Sequence, residues 1–284
     1  MNNNDKINKI LSNIKKAAEA LSEADHIIVT SGAGMSTDCG MPDFRGKDGF
    51  WNAYPKYKEL GLNFYDLAQA KWFKEDPHLA WGFYGHRKNM YQNCVPHFGY
   101  NFLKELSLKK DMFFITSNVD GLFEKSGIDK NRIWEIHGSI HKFQHIETHW
   151  YDKDNLSNEI ISSEGYDIEI DESMRIKDLP KKDGLILRPN IAMFGDYNWN
   201  QKEALRQQEA FNAWEFGVHG KIAILECGAG VAIPSIRMIG ESLKNKYSAN
   251  FIRINTDDYG CLSGIPIPIN GEKAFKAISS LMQQ

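Results

Sequence analysis

The chain has 284 residues, of which 42% are hydrophobic, 12% aromatic and 25% charged, with a formal net charge of −3. That much apolar surface can offset chain entropy, which excludes disorder as the dominant state, and the lack of a basic excess argues against nucleic acid as a partner. No apolar run nears the roughly 20 residues that span a bilayer, and the opening MNNNDKINKI lacks the apolar stretch of a secretory signal, so no membrane partner and a cytoplasmic setting are expected.

Residues 5–24 carry a helical repeat of apolar positions: Ile7, Ile10, Leu11, Ile14, Ala18 and Leu21. His26–Thr30 follows as a short β-branched run, the pattern of a strand covered on both faces. Similar runs recur at 112–116, 133–136, 221–225 and 250–254, with helical patterns at 98–108, 202–216, 234–246 and 272–282. Strands alternating with helices predict an α/β fold, a Rossmann-like parallel sheet with helices on both faces. Two stretches break the alternation. Residues 46–92 are aromatic-rich and read as helical; residues 141–183 are polar, acidic and irregular. Both are assigned to a smaller inserted module, which leaves 1–45, 93–140 and 184–284 as the Rossmann-like domain. Cys39, Cys94, Cys227 and Cys261 are scattered without a CxxC pair, and read as reduced thiols rather than a disulfide framework or a zinc site.

The first strand runs into Ser31-Gly32-Ala33-Gly34-Met35-Ser36. Glycines just past a strand let the backbone approach a pyrophosphate, and a helix starting behind them supplies N–H donors and a positive dipole. An ordinary tight turn accounts for a GxG as well. Next comes Gly40-Met41-Pro42-Asp43-Phe44-Arg45-Gly46, which puts a carboxylate, a ring and a guanidinium into one loop that has no structural need of all three.

Together, GAGMSTDCGMPDFRG resembles the cofactor signature of the sirtuin (Sir2) family. The family's other motifs occur in order. Thr116–Leu122 resembles TQNIDGL, Glu135–Ser139 resembles ELHGS, and Leu187–Asp196 resembles LRPxVVxFGE. Gly228–Pro234 stands where GTSLxVxP is expected, and Ile254–Asp257 resembles INxE. The resemblance implies an enzyme that consumes NAD to remove acyl groups from protein lysines, giving nicotinamide and O-acyl-ADP-ribose, with an acylated protein as partner. It implies Gly32, Ala33, Gly34 and Ser36 around the pyrophosphate, Arg45 on phosphate or ribose beside Asp43, and Phe44 over the reacting sugar. Asn118, next to Ser117, would hold the nicotinamide ribose, and Asp120 the carboxamide. Gly228, Ala229, Gly230 and Cys261 belong to the same cofactor set, with Asn255 and Asp257 on the adenosine ribose. His137 is the implied general base, since an imidazole with an ordinary pKa of about 6.5 can take a hydroxyl proton at neutral pH. Ile191, Met193, Phe194 and Gly195 would offer a backbone edge to the substrate peptide, with Val231 on the other side. Tyr84 and Arg87 form a Y-x-x-R pair like that of sirtuins acting on negatively charged acyl groups; a core tyrosine with a surface arginine is the competing reading.

The chain departs from the pattern in one large respect. The zinc-ribbon cysteines are missing: Leu179-Pro180-Lys181-Lys182 stands where CPxC is expected. In this the chain resembles the macrodomain-linked sirtuins, which transfer ADP-ribose to protein; that activity, or NAD hydrolysis, is the alternative function, and the presence of His137 favours deacylation. His141, His145 and His149 would share one face of a helix, a conceivable three-imidazole site, but with no second ligand set no metal is expected. The module's core would then come from Ile146, Trp150, Tyr151, Ile168, Ile170 and Ile176. Ser117 stands in place of the family's Gln, Ala229 and Gly230 in place of Thr-Ser, and Phe123 in place of a common His.

Overall fold

A computed structural model describes residues 3–41, 50, 54–147 and 158–283. Helix α1 (Asn3–Glu23) leads into β1 (His26–Ser31). Short helical turns at Pro55–Glu59, Phe64–Leu67 and Trp72–Glu75 precede α2 (Pro77–Asn93) and α3 (Phe98–Ser107). Strands β2 (Asp111–Thr116), β3 (Ile133–Glu135), β4 (Gly138–His145), β5 (Ile161–Ser162), β6 (Lys181–Lys182) and β7 (Leu185–Ile191) follow. The chain closes with α4 (Lys202–Glu215), β8 (Ile222–Cys227), α5 (Ser235–Tyr247), β9 (Asn250–Ile254), β10 (Ile265–Ile267) and α6 (Gly271–Met282).

Six strands form a parallel sheet in the order β10-β9-β8-β1-β2-β3. Its apolar runs are continuous because both faces are covered. Ile27, Val29, Phe114, Leu225 and Ile252 pack under α1, α3 and α6, while Ile28, Phe113, Ile115, Ile224 and Phe251 pack under α4 and α5. The chain leaves β1 toward β2 on one side and returns to β8 on the other. The order therefore reverses beside β1, where the loops after the strands part and open α/β sheets bind ligands. Two features were not legible in the pattern. Strand β10 carries Pro266, tolerated because it is an edge strand, and Asn13 of α1 donates to the Pro266 carbonyl at 2.8 Å. The glycine loop is followed not by an α-helix but by two 3₁₀ turns, Ala33–Met35 and Thr37–Cys39, ending at Gly40 with φ +78°.

A second, antiparallel sheet has the order β5-β4-β7-β6. Its interior is shared with α2. Trp81 packs edge-on against Phe143 at 5.0 Å and its indole N–H donates to the Leu187 carbonyl at 2.7 Å. Two helix glycines let the 168–176 segment lie on α2: a Cβ on Gly82 would fall 1.8 Å from the Met174 carbonyl oxygen, and one on Gly85 would fall 2.3 Å from Ile168 Cγ2. Ile168 and Ile176 are buried as expected and Ile146 and Ile170 partly so, but much of the core is Trp81, Phe143, Ile161 and Leu187. Trp150 and Tyr151 lie outside the described residues.

The helical reading of the histidine series is corrected. His141 and His145 belong to strand β4, whose backbone bonds go to β7, so a 3.6-residue repeat has no helix to act on. His149 lies outside the described residues. Among the described residues no group of three or more His, Cys, Asp or Glu side chains is placed to hold a metal ion, and no helix is long and apolar enough to cross a membrane.

Candidate active site

A cleft of about 620 Å³ opens where β1, β2, β8 and β9 end. Ala33, Gly34 and Ser36 line it from the β1 loop, Ser117, Asn118 and Asp120 from the β2 loop, Gly228, Gly230 and Val231 from the β8 loop, and Asn255 and Asp257 from the β9 loop. The β1 and β8 loops pack backbone to backbone, with Gly34 N–H donating to the Gly228 carbonyl at 3.0 Å. A Cβ on Gly34 would meet Gly228 Cα at 2.7 Å, and one on Gly32 would meet the Gly228 oxygen at 2.7 Å. Glycine is required at both positions for this approach.

Beneath the cleft floor runs a buried polar network. Asn118 Nδ2 donates to the Gly32 carbonyl and to Ser36 Oγ, each at 3.0 Å. A carbonyl only accepts, which fixes the amide orientation and leaves Oδ1 as the Asn118 atom with capacity to spare. Ser36 Oγ in turn donates to Asp120 Oδ2 at 2.5 Å and lies 3.2 Å from the Tyr100 hydroxyl. Asp120 Oδ1 accepts from Leu122 N–H at 3.0 Å. Burial dominates Asp120 and lifts its pKa above the ordinary carboxylate value, although these donors pull the other way.

His137, two residues beyond β3, lines the same cleft. Opposite the loops, α2 presents Tyr84 and Arg87 to it. Both are buried, at 2% and 8% exposure, which disposes of a surface arginine. The Arg87 guanidinium lies within 6 Å of the ring centres of Phe64, Phe83, Tyr84 and Tyr91 and donates to the Tyr91 hydroxyl at 2.8 Å. Ile191, Met193 and Phe194 complete this wall.

Some expected residues stand elsewhere. Asp43, Phe44 and Arg45 lie outside the described residues. Cys261 does not line the cleft; a Cβ on Gly264 would fall 2.7 Å from its sulfur. Ala229 is buried beneath the β8 loop, its carbonyl accepting from Asn255 Nδ2 and Arg237 Nε, both at 3.0 Å. Asn255 Oδ1 accepts from the N–H groups of Asp257 and Asp258 at 3.1 Å, so its side chain joins the β8 and β9 loops. The backbone edge expected at Phe194 is already used: its N–H donates to Ala68 and its carbonyl accepts from Ala70. Gly195, with φ +65°, is not on the cleft wall.

Sequence reasoning missed Tyr91, Phe64, Met41 and the α6 end at Asn270 and Gly271, all on the cleft wall. Tyr91 alone left a signal, one helical turn past Arg87. It also missed the support of the β9 loop. Glu226 and Arg253, both almost fully buried, pair at 2.5 Å, and Arg253 reaches Glu241 at 2.9 Å and the Gly260 carbonyl at 2.5 Å. An acid directly after the apolar run 221–225 gives no sign of its partner.

The Sir2 family model matches residues 32–215. A protein of Thermococcus kodakarensis named NAD-dependent protein deacylase is 31% identical over 271 residues, 94% of each chain. One of the same name from Aquifex aeolicus is 27% identical over 82% of this chain and 84% of that protein. Among solved structures, a Sir2 homologue in complex with NAD is similar with a TM-score of 0.66 at 24% identity, covering 94% of this chain and 93% of that one, which shows the shared fold. The chain belongs to the Sir2 family.

Proposed function

We propose that this protein is an NAD-dependent protein deacylase, and that its cleft takes the dinucleotide over the strand ends and the acyl group against α2. The observation that carries the reading is the convergence of Asn118 and Asp120 from the β2 loop, His137 from beyond β3 and Arg87 from α2 on one cleft, three separate segments of the chain. The groups present suit NAD: packed glycine loops for a pyrophosphate, amide and carboxylate groups for ribose and carboxamide, and an imidazole beside them. Bound there, NAD supplies an electrophilic ribose carbon with nicotinamide as its leaving group. The protein's part is positioning and proton handling. Asn118 Oδ1 accepts from a ribose hydroxyl while its Nδ2 is anchored. Asp120, held by Ser36, faces the carboxamide. Asp257 takes the adenosine ribose beside Asn255, which lines the same wall while its side chain also joins the two loops. His137 removes the proton of the ribose hydroxyl that captures the acyl group. Asp43, Phe44 and Arg45 keep the roles the resemblance implies.

Arg87 and Tyr84 extend the reading to negatively charged acyl groups. The guanidinium is desolvated among aromatic rings and lies at the cleft wall, where a carboxylate would pair with it strongly. Mass spectrometry of NAD reactions on acetylated and succinylated peptides tests both levels. O-acyl-ADP-ribose is expected. ADP-ribosylated protein alone, or free ADP-ribose alone, would instead establish transferase or hydrolase activity and end the deacylase reading. A succinyl preference lost in Arg87→Met supports the charged-acyl pocket; an unchanged preference removes it.

A further inference from the structure

Strand β4 carries His137's neighbours away from the cleft into the antiparallel sheet, yet it touches the cofactor loop twice on the way. Ile140 N–H donates to the Val119 carbonyl at 3.0 Å, and His141 Nε2 lies 2.9 Å from the Asp120 carbonyl oxygen. A carbonyl only accepts, so Nε2 carries the hydrogen and the tautomer is set. Burial pushes the His141 imidazole below its ordinary pKa, although its bond to the Asp120 carbonyl pulls the other way. The ring also packs on the turn it bonds. Gly121 sits at φ +68°, and a Cβ there would fall 2.8 Å from His141 Cδ2. His141 is itself anchored in the small sheet, its carbonyl accepting from Ser163 N–H at 3.0 Å.

We propose that His141 is a positioning residue for NAD: from the antiparallel sheet it fixes the Asp120–Gly121 peptide, and through it the Asp120 carboxylate and the Ser36–Asn118 pair under the cleft. The mechanical reason is short. The Asp120 carbonyl belongs to the peptide that leads through Gly121 to the Leu122 N–H, the backbone donor to the Asp120 carboxylate. Releasing the carbonyl lets that peptide rotate about ψ of Asp120 and φ of Gly121, which draws Leu122 N–H off the carboxylate and leaves the carboxylate free to turn away from Ser36 Oγ. Ser36 loses its acceptor, and the Asn118 amide loses one of its two anchors. His141 itself does not line the cleft; it lines a neighbouring cavity of about 660 Å³ with Gly121, Glu124 and Ser139. Its effect must therefore pass through Asp120, and it falls on binding of the nicotinamide end rather than on proton transfer at His137. This rests on the placement of Asp120 toward the carboxamide proposed above.

The test uses the full chain with His141→Phe, which keeps a ring over Gly121 but removes the donor, and His141→Gln, whose amide N–H can occupy the Nε2 position. The Phe variant is expected to raise the calorimetric Kd for NAD and the inhibition constant for nicotinamide about three- to tenfold, the worth of one neutral hydrogen bond. Its kcat at saturating NAD should stay within about twofold of wild type, and Gln should return both constants to near the wild-type values. Unchanged constants in the Phe variant, a fall in kcat and thermal midpoint without a change in Kd, or no recovery in the Gln variant would overturn the proposal. Should the Phe variant not fold, His141→Asn, too short to reach the carbonyl, takes its place with the same expectation, and wild-type NAD affinity there is equally fatal. NAD calorimetry needs no acyl substrate. A wild-type protein that binds NAD but deacylates nothing would therefore end the functional reading and leave the His141 comparison standing.

Discussion

The two sheets bury apolar strands by different means. The parallel sheet is self-sufficient in pattern: its central strands are apolar residue after residue because α1, α3 and α6 cover one face and α4 and α5 the other. The antiparallel sheet is built from strands as short as two residues and depends on α2, whose Trp81 fills its interior and whose Gly82 and Gly85 let it approach. The division extends to function. The groups proposed for the dinucleotide stand on loops at parallel strand ends, a rigid frame that tolerates loop variation. Tyr84 and Arg87, on the proposed acyl side, stand on the helix that serves the small sheet. On the proposed reading one region serves the cofactor and the other the acyl group, and the two meet at β4, which runs from beside His137 into the small sheet.

The sharpest way to break this division is His137→Ala. Product formation should fall by about 10²–10⁴-fold, the usual cost of a general base, while calorimetric NAD affinity stays within about twofold and nicotinamide exchange persists. A matching loss of NAD affinity would show that His137 serves binding instead. Gly82→Ala tests the other region. Its methyl would strike the Met174 backbone, which cannot move as a side chain end can, so a destabilisation of about 3 kcal/mol or more is expected in urea unfolding. A loss below about 1 kcal/mol would mean that the 168–176 segment is not held against α2.

Glu135 provides a pH test within the parallel sheet. Burial raises its pKa from 4.5 to about 7. The folded state therefore binds more protons than the unfolded chain between these values, and stability falls as pH rises from 4.5 to 7. Glu135→Gln should remove that slope, gaining up to about 3 kcal/mol at pH 8 relative to pH 4 when compared with wild type. Parallel stability–pH curves for the two proteins would place the Glu135 carboxyl in contact with water. The smallest effect sharpens the assignment of ribose: Asp257→Ala should weaken NAD binding about tenfold, roughly the loss of one charge-assisted hydrogen bond, with the acyl preference unchanged. Unaltered NAD affinity would move the adenosine end off the β9 loop.

Much of the parallel sheet was legible because its signal is local. A strand covered on both faces shows a largely apolar run, and His26–Thr30 supplies one at 27–29 while Asn250–Ile254 supplies one broken only by Arg253. The loop residues were legible for a different reason: Gly32, Gly34, Asn118 and His137 stand in motifs whose order along the chain matches a family. Residues whose meaning lies in a partner far away in sequence were not legible. Glu226, just past the apolar run 221–225, shows no sign in sequence of the Arg253 that pairs with it or of the Glu241 beyond, and Asn255 shows none of the bonds by which it also joins two loops. The histidines at 141 and 145 illustrate the same limit. Their spacing of four fits a helix, but the segment is eight residues of strand because β7 offers it backbone partners, and spacing alone carries no information about a partner some 45 residues away. What the sequence determined by itself was the class of fold and the chemistry of the strand ends, both written in short windows. The tertiary structure decided which side chains face the cleft and which hold it together, because nearly all buried donors and acceptors are matched and only the assembled chain shows by what.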